Sequence, residues 1–181
     1  KFLVSVEHEL MSLVRGTPRL PALQRLLALM ATYAPSLQDV GRGFFNGYGR
    51  VYIDVNEHPE LAALECSDPY ELALMVEVQN GLLARAAREL AAAGVVVSLH
   101  NNNHDGVLHP EASTWGTHEN YLLGRPTANL GMAMLPFLAT RVYGGSGGVV
   151  YPTGERVAAV RPLFMTYDTG GGTTSARAVF S

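Results

Sequence analysis

The chain has 181 residues, 13 of them basic and 16 acidic, for a formal charge of −3, and 48% of its residues are hydrophobic. This length suits one ordinary domain with a sizeable core, and the composition excludes disorder as the dominant state. The charge balance argues against a general electrostatic grip on nucleic acid, so no nucleic-acid partner is expected.

The sequence opens at Lys1 without a Met, which reads as a trimmed chain or as the ordered parts of a longer one. Its first residues are too acidic and too poor in apolar side chains for a signal peptide. No apolar run approaches the roughly 18 residues of a membrane-spanning helix, so no membrane partner is expected. Residues 2–10 alternate and predict a half-buried strand. Phe2, Val4, Val6, His8 and Leu10 share one face, and Ser5, Glu7 and Glu9 share the other.

Residues 18–33 read as a helix, with Leu20, Leu23, Leu26, Leu27 and Met30 at three- and four-residue spacing. Residues 41–49 are glycine-rich and aromatic, a turn feeding the next strand. There Val51, Ile53 and Val55 face one way, and Arg50, Tyr52 and Asp54 the other. The run Glu57-His58-Pro59-Glu60 is expected to end that strand, since Pro59 cannot donate to a ladder.

A second helix is expected from Asp68-Pro69-Tyr70-Glu71 to about residue 92, with Asp68 as its cap and Gly94 closing it. Residues 95–99 form a short apolar strand, and residues 100–113 a polar loop. Residues 117–123 suit a strand with Thr117, Glu119 and Tyr121 on one face. Residues 128–143 read as a helix kinked at Pro136, followed by a glycine turn at 144–148 and short strands to residue 180. This irregular alternation predicts an α+β fold, with helices on one face of a mostly antiparallel sheet and polar residues on the other.

Glu7, Glu9, Asp54, Glu60, Glu65 and Glu119 lie on or beside predicted strands. Carboxylates gathered on one sheet face repel unless protons or cations offset them. Magnesium does so with hard oxygen ligands while leaving positions for phosphate. The alternative is that these acids simply face water on a half-solvated sheet. The histidines are scattered, and no compact His/Cys cluster favours zinc. His8, in the apolar phase of its strand, reads as a hydrogen-bonded core histidine. Neither glycine run carries a P-loop or Rossmann fingerprint. Cys66, the only cysteine, excludes an intramolecular disulfide, suits a reducing compartment, and reads as a core residue rather than a nucleophile.

Four ordered blocks carry a resemblance: Val6-Glu7-His8-Glu9; Gly49-Arg50-Val51-Tyr52-Ile53-Asp54 through His58-Pro59-Glu60 to Glu65-Cys66; Asn101-Asn102-Asn103-His104-Asp105 with Gly116-Thr117-His118-Glu119-Asn120-Tyr121-Leu122; and Pro136-Phe137-Leu138-Ala139-Thr140-Arg141 with Gly145-Ser146-Gly147. Together they resemble the Pup ligase and Pup deamidase/depupylase family of glutamine synthetase-like carboxylate–amine ligases. The resemblance implies that residues 1–181 are one glutamine synthetase-like catalytic domain. It also implies that the family's later sheet strands and small C-terminal domain have no counterpart here.

It further implies ATP and Mg2+ as cofactors, a cytoplasmic setting, and Pup or a Pup-like modifier with lysine-bearing target proteins as partners. By resemblance Glu7, Tyr52 and Glu60 hold magnesium, Arg50 contacts ATP and Asp54 is the catalytic carboxylate. Glu9 and Glu119 are further metal or substrate-positioning residues. The implied ligase reaction joins the modifier's C-terminal glutamate to a lysine through a γ-glutamyl phosphate. The sister branch hydrolyses a C-terminal Gln amide or the isopeptide bond.

Only 47 residues separate Glu7 from Asp54, too few for the loop that the deamidase branch inserts there. That spacing and Asp54-Val55 favour the ligase. Thr117-His118-Glu119-Asn120, Ser67-Asp68-Pro69 and Gly145-Ser146-Gly147 look more like the deamidase. Ala63-Leu64 before Glu65, and Val76-Glu77-Val78-Gln79-Asn80 in the long helix, depart from the family pattern and mark a divergent member. A non-catalytic ATP-binding relative is the remaining alternative.

Overall fold

A computed structural model describes residues 3–38, 43–54, 57–101, 115–122, 133, 136, 148–150, 153–157, 170–171 and 178–179. The chain divides into two compact units, Lys1–Asn101 with Trp115–Gly124, and Asn102–Thr114 with Arg125–Ser181.

The first unit is built on β1 (Leu3–Glu9), β2 (Met11–Arg15), α1 (Arg19–Ala31), β3 (Ser36–Gln38), β4 (Gly43–Asn46), β5 (Gly49–Ile53), β6 (Pro59–Ala63), α2 (Pro69–Ala92), β7 (Val96–His100) and β8 (Thr117–Leu122). Six strands form one antiparallel sheet in the order β3-β4-β5-β6-β1-β8, and β2 pairs with β7 in a separate ribbon. The fold is α+β, as the sequence predicts.

Strand alternation sends Phe44, Val51, Ile53 and Leu61 to one face. There they share a buried core with Leu23, Leu26, Leu27 and Met30 of α1 and with Leu83, Ala86 and Leu90 of α2. Burying such side chains stabilises by roughly 1.5–3 kcal/mol each, which drives both helices onto this face. At the α2 end, Val4, Ala63, Cys66 and Leu72 form a second buried cluster. α2 starts as the sequence predicts: the Asp68 carboxylate accepts from the N–H of Tyr70 at 2.6 Å and of Glu71 at 3.4 Å. Among the described residues no helix is long and apolar enough to cross a membrane.

Two expectations change. Pro59 does not merely end a strand. It opens β6, because the first residue of a strand needs no donor, and its carbonyl accepts from Leu10 N–H at 3.0 Å. The glycine-rich stretch is not all turn either. Residues Gly43–Asn46 pair with β5, and the reversal is confined to Asn46–Gly49, where Asn46 Oδ1 accepts from Tyr48 N–H at 2.8 Å.

Strand β2 escapes a pattern reading because its polarity is inverted. Ser12 is 6% exposed and Leu13 57% exposed. The helix expected over 128–143 lies outside the described residues except for Ala133 and Pro136, which are both helical. The second unit carries short antiparallel pairs, β9 (Gly148–Val150) with β10 (Glu155–Val157), and β11 (Gly170–Gly171) with β12 (Ala178–Val179).

The start of β5 is locked from the core side. Gln79 of α2 is buried, and its Nε2 donates to the carbonyls of Tyr48 at 3.2 Å and Ala62 at 3.1 Å. Gly49 beside it has φ +136°, and a Cβ there would press into the Ala62 carbonyl oxygen and lie 2.8 Å from Gln79 Nε2. Gly49→Ala is therefore expected to destabilise the protein by more than about 2 kcal/mol, read from the urea unfolding midpoint.

Candidate active site

The sheet face away from the helices is built by register. Tyr52 lies opposite Glu60, and Glu60 opposite Glu9. One rung along, Arg50 lies opposite Ala62, Ala62 opposite Glu7, and Glu7 opposite His118. Directly opposed residues in antiparallel strands share a face. Glu7, Glu9, Arg50, Tyr52, Glu60 and His118 therefore converge from β1, β5, β6 and β8.

At the centre the Tyr52 hydroxyl is within hydrogen-bonding distance of both Glu7 Oε1 and Glu60 Oε2. A phenol carries one proton, so a hydrogen bond to each of the two carboxyls calls for a second proton on one of them. Glu60 is the group suited to carry it. It is 4% exposed, and burial, with the charges of Asp54, Glu7 and Glu9, pushes its pKa up to about 7 against the lowering effect of the Tyr52 bond. The Tyr52 phenol is raised in turn, by burial first and then by its bonds to Glu60 and Glu7. The Arg50 guanidinium lies 4.0 Å from the Tyr52 ring centroid and 5.5 Å from that of Phe45, a stacking that holds its charge over the same face.

Glu9 is oriented by two contacts. Gly116 N–H donates to Oε2 at 2.6 Å, and His118 Nε2 lies 3.2 Å from Oε1. The pattern of carboxylates gave no sign of His118. Its place follows only from the pairing of β8 with β1. Asp54 leaves the end of β5 in phase with Tyr52. Its N–H donates to the His58 carbonyl at 2.9 Å, and its carbonyl accepts from Glu57 N–H at 3.2 Å. Its charge is felt at Glu60 and at His58. His58 stacks tilted against the buried Trp115 at 5.5 Å, and burial lowers its pKa, aided by Arg19 and opposed by Glu9 and Asp54.

Glu119 does not join the group. It lies opposite Val6, on the face that His8 shares, because alternation turns it away from its neighbour His118, and it accepts from Tyr121 O–H. Glu65 is exposed beyond the end of β6. His8 contacts Thr117 Oγ1 through Nδ1 at 3.2 Å, and burial lowers its pKa. Cys66 is buried, its thiol pushed up by burial, in keeping with a core role. Residues 102–114 and 139–147, with their asparagines and glycines, lie outside the described residues.

Among the described residues no three His, Cys, Asp or Glu side chains come together as a metal-ligand set. The donor chemistry nevertheless fits a hard cation. Two carboxylates and a phenol oxygen converge, and Glu60 retains its proton toward neutrality because it is buried, with the charges of Asp54, Glu7 and Glu9 adding to the effect.

The family model described as Pup-ligase protein matches residues 20–181. The Pup–protein ligase of Kocuria rhizophila is 33% identical over 174 residues, covering 90% of this chain and 35% of that protein. The Pup–protein ligase of Micrococcus luteus is 35% identical over 149 residues, covering 73% of this chain and 31% of that protein. The Pup deamidase/depupylase of Mycobacterium tuberculosis is 31% identical over 141 residues, covering 73% and 27%. A solved structure, the complex between the prokaryotic ubiquitin-like protein Pup and its ligase PafA, matches with a TM-score of 0.63 and 26% identity over 83% of this chain and 31% of that one. The chain thus spans about a third of the length of the curated relatives it matches.

The Glu60 shift sets the sign of a pH effect. Its pKa is higher in the folded chain, about 7, than its ordinary 4.5. Below 4.5 both folded and unfolded chains hold the proton. Between the two values the unfolded chain binds fewer protons, so rising pH costs stability. In metal-free solution the wild type is expected to lose on the order of 2–3 kcal/mol relative to Glu60→Gln between pH 4.5 and 7.5, measured by urea unfolding of both.

Proposed function

The chain belongs to the Pup ligase family, and from that premise we propose that it forms the active-site part of an ATP- and magnesium-dependent ligase. This ligase joins the C-terminal glutamate of Pup or a Pup-like modifier to a lysine of a target protein. The observation that carries the reading is the Tyr52 hydroxyl between Glu7 and Glu60, on the strand face that leads to Asp54.

Glu7, Tyr52 and Glu60 would hold the magnesium, whose charge replaces the proton kept by Glu60. Arg50, stacked on Tyr52, would contact ATP phosphate. When bound, Mg-ATP supplies the phosphoryl group that activates a glutamate γ-carboxylate and neutralises the charge of that transfer. Asp54 would accept a proton from the incoming lysine so that its amine attacks the activated carbonyl, the carbon–oxygen bond to the phosphoryl group breaks and phosphate leaves. Glu9, with both oxygens already directed by Gly116 and His118, orients the amine. The same reading places the protein in the cytoplasm.

A second reading, hydrolysis of a C-terminal Gln amide or of the isopeptide bond, is supported by the similarity to Pup deamidase/depupylase proteins. The spacing of 47 residues between Glu7 and Asp54 weighs toward the ligase.

Intact-mass spectrometry tests the choice, using the protein with Mg-ATP, Pup ending in Gln or in Glu, and a lysine-bearing acceptor. A Pup–acceptor adduct is expected. Conversion of terminal Gln to Glu without an adduct would make this a deamidase, and neither product from protein that binds ATP would point to a non-catalytic relative. Asp54→Asn is expected to abolish turnover while leaving Mg-ATP binding in place. Glu60→Ala is expected to weaken magnesium-dependent ATP affinity by roughly tenfold or more, by titration calorimetry.

A further inference from the structure

Arg19 occupies the first turn of α1, a helix whose N-cap Pro18 makes no side-chain cap hydrogen bond. A cation there opposes the helix dipole, so the helix itself gives no reason for it. Its donors go elsewhere. Nε donates to Ser12 Oγ at 3.0 Å, and Nη2 donates to the carbonyl of Glu57 at 3.1 Å. Ser12 is buried on β2 and supplies a fixed anchor. Glu57, at φ +61°, is the one non-glycine residue with positive φ among the described residues. An L-residue persists in that conformation only where its surroundings over-determine it.

Glu57 also closes the turn that carries Asp54. Its N–H donates to the Asp54 carbonyl at 3.2 Å, while Asp54 N–H donates to the His58 carbonyl at 2.9 Å. The residue whose carbonyl Arg19 grips is thus the residue whose amide grips Asp54. We propose that Arg19 is the positioning residue for Asp54: its two-donor fork ties the strained Glu57 carbonyl to β2 and so sets how Asp54 leaves β5. The inference rests on the reading of Asp54 as the carboxylate that accepts the lysine proton. It calls for arginine in particular, because a planar guanidinium presents two donors in a fixed relation and an ammonium does not.

The test compares Arg19→Gln, Arg19→Lys and Asp54→Asn in the full protein, measuring kcat, KM for Mg-ATP and amide hydrogen exchange. Both Arg19 variants are expected to lower kcat by roughly ten- to a hundredfold, as small misplacements of a reacting group do. KM for Mg-ATP should stay within about a factor of two, since a group acting on the proton-transfer step alone leaves ground-state binding unchanged. Exchange should quicken at Glu57 N–H and Asp54 N–H. Arg19→Lys keeps the charge, so its loss of kcat would separate the fork from a general electrostatic effect. Full kcat in either Arg19 variant, alongside an inactive Asp54→Asn, would overturn the positioning role alone. A fall in Mg-ATP affinity as large as the fall in kcat would show general damage to the sheet and would also overturn it. Full activity of Asp54→Asn would overturn the catalytic reading, and this inference with it.

Discussion

Glu60 is buried opposite Glu9, and the charges of Asp54, Glu7 and Glu9 all bear on it, a surplus of negative charge to which a carboxyl held out of water does not readily add its own. Everything at the polar face follows from how that surplus is met. The Tyr52 hydroxyl sits between Glu7 and Glu60, and burial with neighbouring charge keeps a proton on Glu60 toward pH 7. A phenol donor suits this place because its rigid ring reaches across the rung without the entropy cost of a long flexible side chain. Arg50 stacks on that ring and adds a positive charge to the same face.

The rest of the unit exists to keep the rung in register. A slip of one residue between β5 and β6 would send Tyr52 to the core and Val51 to the polar face. Val51, Leu61 and Phe44 resist this by being buried against α1 and α2. Gln79 resists it by reaching from α2 to the backbone of both Tyr48 and Ala62. Gly49, held against Ala62, lets β5 begin so close to its neighbour. Packing energy on one face thus becomes positional accuracy on the other.

Much of the site was legible as strand faces. The alternation of residues 2–10 and 50–54 put Ser5, Glu7 and Glu9 together and Arg50, Tyr52 and Asp54 together; the first grouping appears in β1, and Arg50 and Tyr52 of the second in β5, which ends one residue before Asp54. The Asp68 cap and Gly94 marked the ends of α2. Three features were not legible. β2 does not read as a strand at all, because it buries Ser12 and exposes Leu13. Pro59 reads as a stop, although at the first position of a strand it is tolerated. Glu119 reads as one more acid for the cluster, although its own strand turns it to the opposite face.

The sequence by itself determined which side chains stand together along each single strand or helix, because the periods of 2 and 3.6 residues are local properties of the backbone. Its motifs also determined the family. Only the tertiary structure decided which strands adjoin and in what register. Tyr52 faces Glu60, Glu7 faces His118 rather than Glu119, and Arg19 reaches the carbonyl beside Asp54, all through pairings and packing between residues far apart in the chain. Those pairings are chosen by the burial of the opposite face, a sum over many side chains that no local stretch of sequence contains.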